Sequence, residues 1–396
     1  MKNYKLHLPE GFKDTLGYEM LIKKEIEKNV LNTFVCHGYN LIKTPGVEYI
    51  DIYSLDGIQT KDLYNLINRQ GEVLALSNDM TKSIARYVAS IKEESFGVKK
   101  FGYISDTYRY PRQYQGKNHQ FLQAGVELIG KSNLYNDAEV IYLAYKTLKN
   151  CNVNNFTIHL GSSEFLHQLL DDFKVSEDNK SRISEAIDNK DYVTLKQLLI
   201  EDLDTEKTEF IIDLMLRGGH LRYLESLMTK LKGYKSYNAL EYLKNIYQIL
   251  SELNVDNIIF DFSIYSYAKY YTGIVFQIYV DEITKNVVSG GRCDSLFKEF
   301  GKDLPDVGFG LDIDSLTLYI IDNNLIDIKQ TKYLSLSDKE SFAYAMKNNE
   351  KIREEGIIVS DSHLENIEDA NKYALENGYS KILKYFNNKL EILEVK

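Results

Sequence analysis

Apolar residues recur at helical spacing near the beginning of the chain. Between Tyr18 and His37 most of them are three or four positions apart, which predicts an amphipathic helix. Runs of apolar and β-branched residues then predict short strands at 40–42, 73–76, 101–105, 121–129 and 157–161. The first part of the chain is therefore predicted to form a sheet with a helix packed on it.

The pattern changes between residues 163 and 253. Leucines at helical spacing, such as Leu166, Leu169 and Leu170, replace the β-branched runs and predict a helical insertion. Strand-like patterns return at 257–262, 274–280 and 286–289. The sheet is thus predicted to continue after the insertion, within a core that spans residues 1–326.

A separate small domain is predicted for residues 327–396. Its pattern alternates strand, helix, strand, helix and strand, at 332–336, 341–355, 356–360, 366–377 and 381–385. This order is typical of a small α/β domain. The whole chain is therefore predicted to belong to the α+β class.

Composition and charge narrow the possible functions. The chain has 396 residues with 44% hydrophobic and 27% charged content, which is typical of a folded globular protein. Its formal net charge of −10 argues mildly against a nucleic-acid partner. The first residues lack the apolar core of a signal peptide, and no apolar run is long enough to span a bilayer. We therefore expect a cytoplasmic protein that contacts neither nucleic acid nor membrane.

The cysteines suggest no metal or disulfide chemistry. Cys36, Cys151 and Cys293 are far apart and form neither a CxxC pair nor a Cys/His ligand spacing. No metal and no cofactor are predicted.

Two short segments could bind a ligand in the first half of the chain. In the first, Asp79 and Thr81 open a predicted helix, where an aspartate is more often an N-cap than a ligand group. In the second, Arg109 is followed by Gln123 and Glu127. The planar fork of an arginine suits carboxylates and phosphates, although a surface ion pair is an equal alternative. His119 lies in the same polar segment, where a solvated side chain is the commoner outcome, and it is given no role.

Two glycine-rich segments follow in the second half. Tyr270 and Tyr271 precede Thr-Gly-Ile-Val-Phe, and Gly290-Gly291-Arg292 comes shortly after. The tyrosines could close over a ring by stacking and hydroxyl hydrogen bonds, or simply pack on a sheet. The last segment runs from Val307 to Leu316 and contains Ser315.

Together with Gly38-Tyr39, Thr44-Pro45 and Glu48, these segments resemble the catalytic core of histidyl-tRNA synthetases over most of residues 9–316. The resemblance implies a class II aminoacyl-tRNA synthetase-like fold, with an antiparallel sheet flanked by helices, a helical insertion and a small C-terminal domain. It also implies a dimer through the segment around Gly38. The histidine site that it implies consists of Asp79, Thr81, Arg109, Gln123, Glu127, Tyr270 and Tyr271.

The chain departs from this resemblance at a set of arginines. Ser77, His119, Ser266 and Ser315 stand where the synthetases carry arginine, and three of those arginines serve ATP or the reaction. Loss of one preorganised charge-stabilising group typically slows a reaction by roughly a hundred- to a thousandfold. We therefore predict no adenylate formation and no catalytic residue.

A synthetase-like core without these arginines resembles the regulatory subunits of ATP phosphoribosyltransferase. That family implies a short catalytic subunit as partner, histidine as effector in the first step of histidine biosynthesis, and a homodimer within a hetero-oligomer. The tail is similar to a reduced anticodon-binding domain, but its acidic residues offer no basic surface for RNA. Two alternatives remain open: a divergent histidyl-tRNA synthetase, and a synthetase paralogue that binds tRNA or another enzyme. The sequence decides neither the stoichiometry nor whether histidine binds in the synthetase-like site or at a subunit interface.

Overall fold

The computed structural model describes residues 4–53, 62–91, 97–110, 118–264, 271–362, 364 and 366–395. Within it the chain divides into two compact units, Met1–Ile326 and Asp327–Lys396. Ser266 and Tyr270, which the sequence analysis singled out, lie outside the described residues.

The first unit combines strands and helices in alternation. Its strands are β1 (Asn40–Leu41), β2 (Val47–Tyr49), β3 (Asn65–Ile67), β4 (Val73–Leu76), β5 (Lys99–Tyr108), β6 (Gln120–Ile129), β7 (Phe156–Ser162), β8 (Ile258–Phe260), β9 (Ile274–Val280), β10 (Val288–Arg292) and β11 (Asp306–Asp312). Its helices are α1 (Gly17–Cys36), α2 (Met80–Ser90), α3 (Leu134–Asn150), α4 (Ser163–Asp172), α5 (Glu177–Asp188), α6 (Tyr192–Asp202), α7 (Thr205–Leu216), α8 (Leu221–Lys230), α9 (Tyr237–Glu252), α10 (Leu296–Glu299) and α11 (Ile313–Asp322).

The main sheet of this unit has the strand order β1-β5-β6-β11-β10-β9-β7-β8. Strands β5 to β7 in this order pair antiparallel, whereas β1 with β5 and β7 with β8 form a parallel pair at each edge. The predicted antiparallel sheet is therefore confirmed in its centre, and the parallel edges are an addition that the sequence did not reveal. Helices α4 to α9 occupy the chain between β7 and β8.

The two faces of the main sheet are used differently. On one face Phe34 of α1 packs edge to face with Phe309 of β11, with ring centroids 6.0 Å apart. The buried residues of α1, including Ile22, Ile26 and Val30, cover the same face. Because successive strand residues point to opposite sides, Glu127 and Gly308 face the other way. That opposite face holds the cavity described below.

A smaller sheet pairs β2, β4 and β3 in that order. It leaves the large apolar side chains Val47, Tyr49 and Leu66 exposed, and the pairing register puts all three on one face of the sheet. An exposed apolar face on a small sheet is the kind of surface that another polypeptide covers.

The second unit is a four-stranded sheet with two helices. Its elements are β12 (Lys332–Ser337), α12 (Phe342–Glu354), β13 (Ile358–Asp361), α13 (Ile367–Glu376), β14 (Lys381–Phe386) and β15 (Lys389–Glu394). The strand order is β13-β12-β14-β15, with parallel pairing except for β14 with β15. Strand β15 was not predicted from the sequence pattern. Asn387 and Asn388, at φ 50° and 52°, form the two-residue turn of this hairpin.

Candidate functional site

A cavity of about 510 Å³ opens on the face of the main sheet that α1 does not cover. The pairing of β6 with β11 defines its length, since Glu127 is opposite Gly308 and Gln123 is opposite Asp312. The two pairs are four positions apart along the strands, which corresponds to roughly 13 Å along the sheet. We call the part around Glu127, Thr81, Tyr103 and Cys293 the inner end, and the part around Gln123, Lys285, Asp312 and Ser315 the outer end.

Glu127 forms the floor of the inner end. Thr81 Oγ1 donates a hydrogen bond of 2.6 Å to Glu127 Oε1. Gly308 lies directly below the other oxygen, because a Cβ at this position would overlap Glu127 Oε2. Burial, and next the charge of Asp306, raise the pKa of the Glu127 carboxyl well above its usual range. These surroundings favour the protonated form of Glu127, and a cation placed beside it would favour the ionised form.

Asp79 begins helix α2 at the edge of the same cavity. Its Oδ1 accepts a hydrogen bond of 2.9 Å from the Thr81 N–H, so it is an N-cap. It also lines the cavity. The two alternatives drawn from the sequence, cap and ligand group, are therefore geometrically compatible.

Arg109, the residue after β5, and Gln123 of β6 also line the cavity. The Arg109 guanidinium lies 5.2 Å from the centre of the Phe121 ring, and its Nε donates to the Asn78 carbonyl at 3.3 Å. Thr107 Oγ1 donates to Gln123 Oε1 at 3.4 Å. Arg109 is exposed and has no carboxylate partner within ion-pair distance among the described residues. Its guanidinium is positioned to bind an anion.

Tyr271 lines the cavity on the side of β10. Its ring lies against Gly291, where any side chain would collide with it. It also packs against the apolar cluster that contains Tyr103 and Cys293. The structure thus brings together Asp79, Thr81, Arg109, Gln123, Glu127 and Tyr271, and it does not describe Tyr270.

The outer end has a different chemistry. Ser315 donates to Asp312 through both its N–H, at 2.9 Å, and its Oγ, at 2.8 Å. Lys285 Nζ forms an ion pair of 2.7 Å with the same Asp312 carboxylate. Asp314 pairs with Lys23 at 2.5 Å and accepts from the Leu122 N–H. Carboxylates therefore neutralise the N-terminus of α11 and repel a phosphate there.

Two of the positions without arginine lie outside the cavity. Ser77 is fully buried, accepts a hydrogen bond of 3.2 Å from Tyr53 and donates to the sulfur of Met80. An arginine at this position would have to bury its charged guanidinium, which is unfavourable unless the charge is paired.

The expectation that His119 is solvated is wrong. The side chain is 9% exposed, hydrogen-bonded to the Tyr64 hydroxyl, and packed against Phe12, Tyr64 and Tyr110. Gly11 contacts the imidazole so closely that no side chain would fit there. The isolated sequence gave no sign that the N-terminal segment packs on this residue.

A buried ion pair supports the inner end from behind. Arg292, at the end of β10, pairs with Asp137 of α3 and, at 3.0 Å, with Asp294. The Tyr242 hydroxyl of α9 donates to Asp137 at 2.8 Å. The Asp137 interactions raise the pKa of Arg292 against the opposing effect of burial. The network ties the glycine-containing strand β10 to α3 and α9.

Some functional candidates escaped the sequence analysis. Lys285 and Asp312 carry no motif, and Asp306 lies just before a segment in which only the glycines and Ser315 drew attention. Among the described residues no group of three or more His, Cys, Asp or Glu side chains is arranged to hold a metal ion. No helix in the described part of the chain has both the length and the apolar run needed to cross a membrane.

The strand order, the cavity and the helical insertion define a class II synthetase-like protein of the histidyl-tRNA synthetase type. A family model described as histidyl-tRNA synthetase matches residues 11–316. A histidyl-tRNA synthetase from Nostoc has a similar fold, with a TM-score of 0.80 at 20% identity, over 98% of this chain and 97% of that one.

Full-length relatives define the family more narrowly. An ATP phosphoribosyltransferase regulatory subunit of Clostridium kluyveri is 30% identical, over 97% of this chain and 99% of that protein. The crystal structure of an ATP phosphoribosyltransferase regulatory subunit/histidyl-tRNA synthetase from Bacillus halodurans has a TM-score of 0.84 at 27% identity, over 97% and 99% of the two chains. The chain belongs to the family of ATP phosphoribosyltransferase regulatory subunits.

Proposed function

We propose that this chain is the non-catalytic regulatory subunit of an ATP phosphoribosyltransferase and acts in the first step of histidine biosynthesis. Full-length similarity to regulatory subunits carries the proposal. Its partner is the short catalytic subunit, and the complex forms in the cytoplasm. Three free cysteines, Cys36, Cys151 and Cys293, support a reducing compartment.

The isolated chain is inactive as a synthetase under this proposal. Ser315 supplies no charge for a phosphate, and its hydrogen bonds go to Asp312 instead. Asp312 and Asp314 hold Lys285 and Lys23 in ion pairs, so neither lysine is available to a phosphate. Both observations oppose binding of ATP at the outer end.

Histidine binds in the cavity and acts as the feedback effector. The cavity volume of about 510 Å³ lies in the range of roughly 300–1,000 Å³ that is typical of small-ligand sites. Arg109 binds the carboxylate, Asp79 and Thr81 lie near the ammonium, and Gln123, Glu127 and the tyrosines surround the ring. Such a ligand changes catalysis in the partner only by binding two states of the assembly with different affinity.

Two copies of the chain form a homodimer within the hetero-oligomer. The apolar side chains of Val47, Tyr49 and Leu66, exposed on one face of the smaller sheet, support this assembly, because burial of such a surface stabilises association.

The test combines a catalytic assay with calorimetry. Purified complex is assayed for histidine inhibition, and histidine binding is measured for wild type, Asp79→Asn and Arg109→Ala. Asn keeps the N-cap of α2 but removes the charge, so a loss of binding in this variant reports on the ligand and not on helix stability. Each variant is expected to weaken histidine binding by about tenfold or more, which corresponds to roughly 1.4 kcal/mol.

Arg182→Ala is the matched control, because Arg182 is a half-exposed arginine of α5 outside the cavity. It is expected to leave both measurements unchanged. Equal histidine inhibition in wild type, Asp79→Asn and Arg109→Ala would contradict the assignment of the cavity. A catalytic subunit whose activity is independent of this chain would contradict the regulatory function.

A divergent histidyl-tRNA synthetase is the second candidate, and the match of residues 11–316 to the synthetase family model favours it. Histidine-dependent exchange of pyrophosphate into ATP by the isolated chain decides between the two. We expect none.

A further inference from the structure

Asp306 lies beneath the inner end of the cavity, next to Glu127. It is the first residue of β11 and is opposite Ile129, two positions before Gly308, which is opposite Glu127. Asp306 and Glu127 are therefore diagonal neighbours on one face of the sheet. Their side chains are almost completely buried, at 1% and 3% exposure.

The Asp306 carboxyl is poorly satisfied by donors. Neither of its oxygens has a hydrogen-bond partner in good geometry among the described residues, and the Val307 N–H favours its ionised form less than burial opposes it. Its neighbour is the Glu127 carboxyl, whose Oε1 already accepts from Thr81. Two adjacent buried carboxylates repel each other, whereas one proton held between them satisfies both groups.

The surroundings do not supply a free counter-charge. Arg292 on β10 favours the ionised form of Asp306, but it is already bound by Asp137 and Asp294. Asp294, which follows β10, raises the pKa of Asp306, and Asp79 at the start of α2 raises that of Glu127.

The remaining groups that face the pair are neutral at physiological pH. Tyr103 on β5, Tyr39 after α1 and Cys293 after β10 are buried, and burial raises the pKa of each above its ordinary value. Among the described residues that act on the carboxyl pair, Arg292 is the cation, and its guanidinium is already bound by Asp137 and Asp294.

We propose that Asp306 is a specificity-determining residue of the cavity: it pairs with Glu127, and the pair selects a ligand that brings a positively charged nitrogen to Glu127 and displaces the proton that the two carboxyls share. The proposal rests on the proposed function, because histidine supplies such nitrogens. The exchange is balanced where the imidazole is already charged in solution, below its ordinary pKa of about 6.5: the pair then releases one proton to solvent and gains one positive charge from the ligand.

The acid strengths of the two groups agree with this geometry. Burial raises the pKa of Asp306 from 3.8 to about 7. Burial and the Asp306 charge both raise the pKa of Glu127. The pair therefore retains a proton at neutral pH, and a cation beside Glu127 favours its release.

The experiment measures protons released when histidine binds. Histidine is titrated into the full-length chain by calorimetry at about pH 5.5, where the free imidazole is largely protonated, in two buffers with different ionisation enthalpies, and the difference gives the number of protons released. Wild type is compared with Asp306→Asn, an isosteric change that removes the second ionisable carboxyl. Asp213→Asn is the matched control, because Asp213 is a partly exposed acid of α7 that pairs with Arg217 outside the cavity.

We expect wild type and Asp213→Asn to release a substantial fraction of one proton, and Asp306→Asn to release less than half as much. The preference for histidine over an analogue with a non-basic triazole ring is expected to fall by about tenfold in Asp306→Asn. Histidine binding with equal proton release in wild type and Asp306→Asn would overturn the inference and leave the proposed function intact. Absence of histidine binding to wild type would overturn the proposed function and the ligand exchange together.

Infrared spectroscopy of the ligand-free wild-type chain tests the shared proton even if a variant does not fold. Wild type is expected to show the C=O stretching band of a buried protonated carboxyl at neutral pH, and to lose it as the pH rises. Glu127→Gln is expected to lack this band. A wild-type chain without the band contains no shared proton, which would overturn the inference independently of any variant.

Discussion

The two ends of the cavity are built on the same pair of strands, yet they differ in what they can bind. At the inner end, Glu127 is fully enclosed and hydrogen-bonded by Thr81, and Gly308 leaves it room. At the outer end, Lys285, Asp312 and Ser315 satisfy one another at the cavity rim. The inner end can therefore still bind a ligand through its polar groups, whereas the polar groups of the outer end are satisfied by one another.

This difference shows how a binding site can be lost without loss of the fold. Asp312 caps α11 and stabilises its first turn. The helix therefore forms although Ser315 provides no positive charge for a phosphate. Lys285 then compensates the Asp312 charge. Local stability and nucleotide binding are separate properties of the same few residues.

The largest effect is expected behind the inner end. Arg292→Ala leaves Asp137 buried without its cation, which should lower the free energy of unfolding by about 3–5 kcal/mol. Denaturant unfolding of the full chain measures it. Lys285→Ala breaks an ion pair at the outer end that includes an exposed lysine, and about 0–1 kcal/mol is expected. An equal loss of unfolding free energy in the two variants would contradict the difference between the inner end, which a buried ion pair supports, and the outer end, where the ion pair is partly exposed.

The next effect concerns the space above Gly308. Gly308→Ala places a methyl group against the Glu127 carboxyl and the Val126 carbonyl, which should cost about 1–3 kcal/mol of stability and weaken histidine binding. Gly46→Ala is the control, since a Cβ there meets no atom within 4 Å and the φ is ordinary. Wild-type binding by Gly308→Ala would show that Glu127 is not in contact with the ligand.

A pH titration examines the inner end alone. The folded pKa of Asp306 is about 7 against an ordinary value of 3.8, so the folded chain binds more protons than the unfolded chain between these values. The contribution of Asp306 to stability therefore falls as pH rises through this window, by at most about 1.4 kcal/mol per pH unit. Asp306→Asn should gain stability relative to wild type from pH 4 to pH 7. A constant difference across this range would contradict the buried acid pair.

The smallest effect is expected from rebuilding the outer end. The double variant Asp312→Gly and Ser315→Arg removes one carboxylate and restores a guanidinium, so ATP affinity should rise by about tenfold, or roughly 1.4 kcal/mol. Calorimetry with ATP alone measures the change, and Ser315→Ala serves as the variant without added charge. Unchanged ATP affinity would mean that the rim charges do not limit nucleotide binding.

Local pattern predicted the elements better than the site. The strand predicted at 274–280 is observed as Ile274–Val280, because a continuous apolar run fixes a buried strand. Strand β15 was missed, since its hairpin depends on two asparagines at positive φ and its own apolar residues are exposed. The two-unit division of the structure coincides with the boundary expected near Asp327.

The arrangement of the site residues depends on the register in which distant strands pair, and local sequence patterns do not reveal this register. The resemblance placed Asp79, Arg109 and Glu127 in one site, and the structure brings these residues to one cavity. Asp306 reaches Glu127 only because β11 pairs with β6 in one particular alignment. His119 was assigned to solvent because its burial depends on Gly11 and Phe12, which approach it from the N-terminal segment.

The alignment of β6 with β11 also has a consequence for how the chain folds. The strands that enclose the cavity lie on opposite sides of the six-helix insertion, so most of the polypeptide must be synthesised before they can pair. Contacts between such distant segments close late and slowly, whereas α4 to α9 can form from local interactions. During synthesis the insertion is therefore expected to be structured first and the cavity last. An incomplete chain that ends before Asp306 would expose the edge of β6 and would be a substrate for chaperones or proteases.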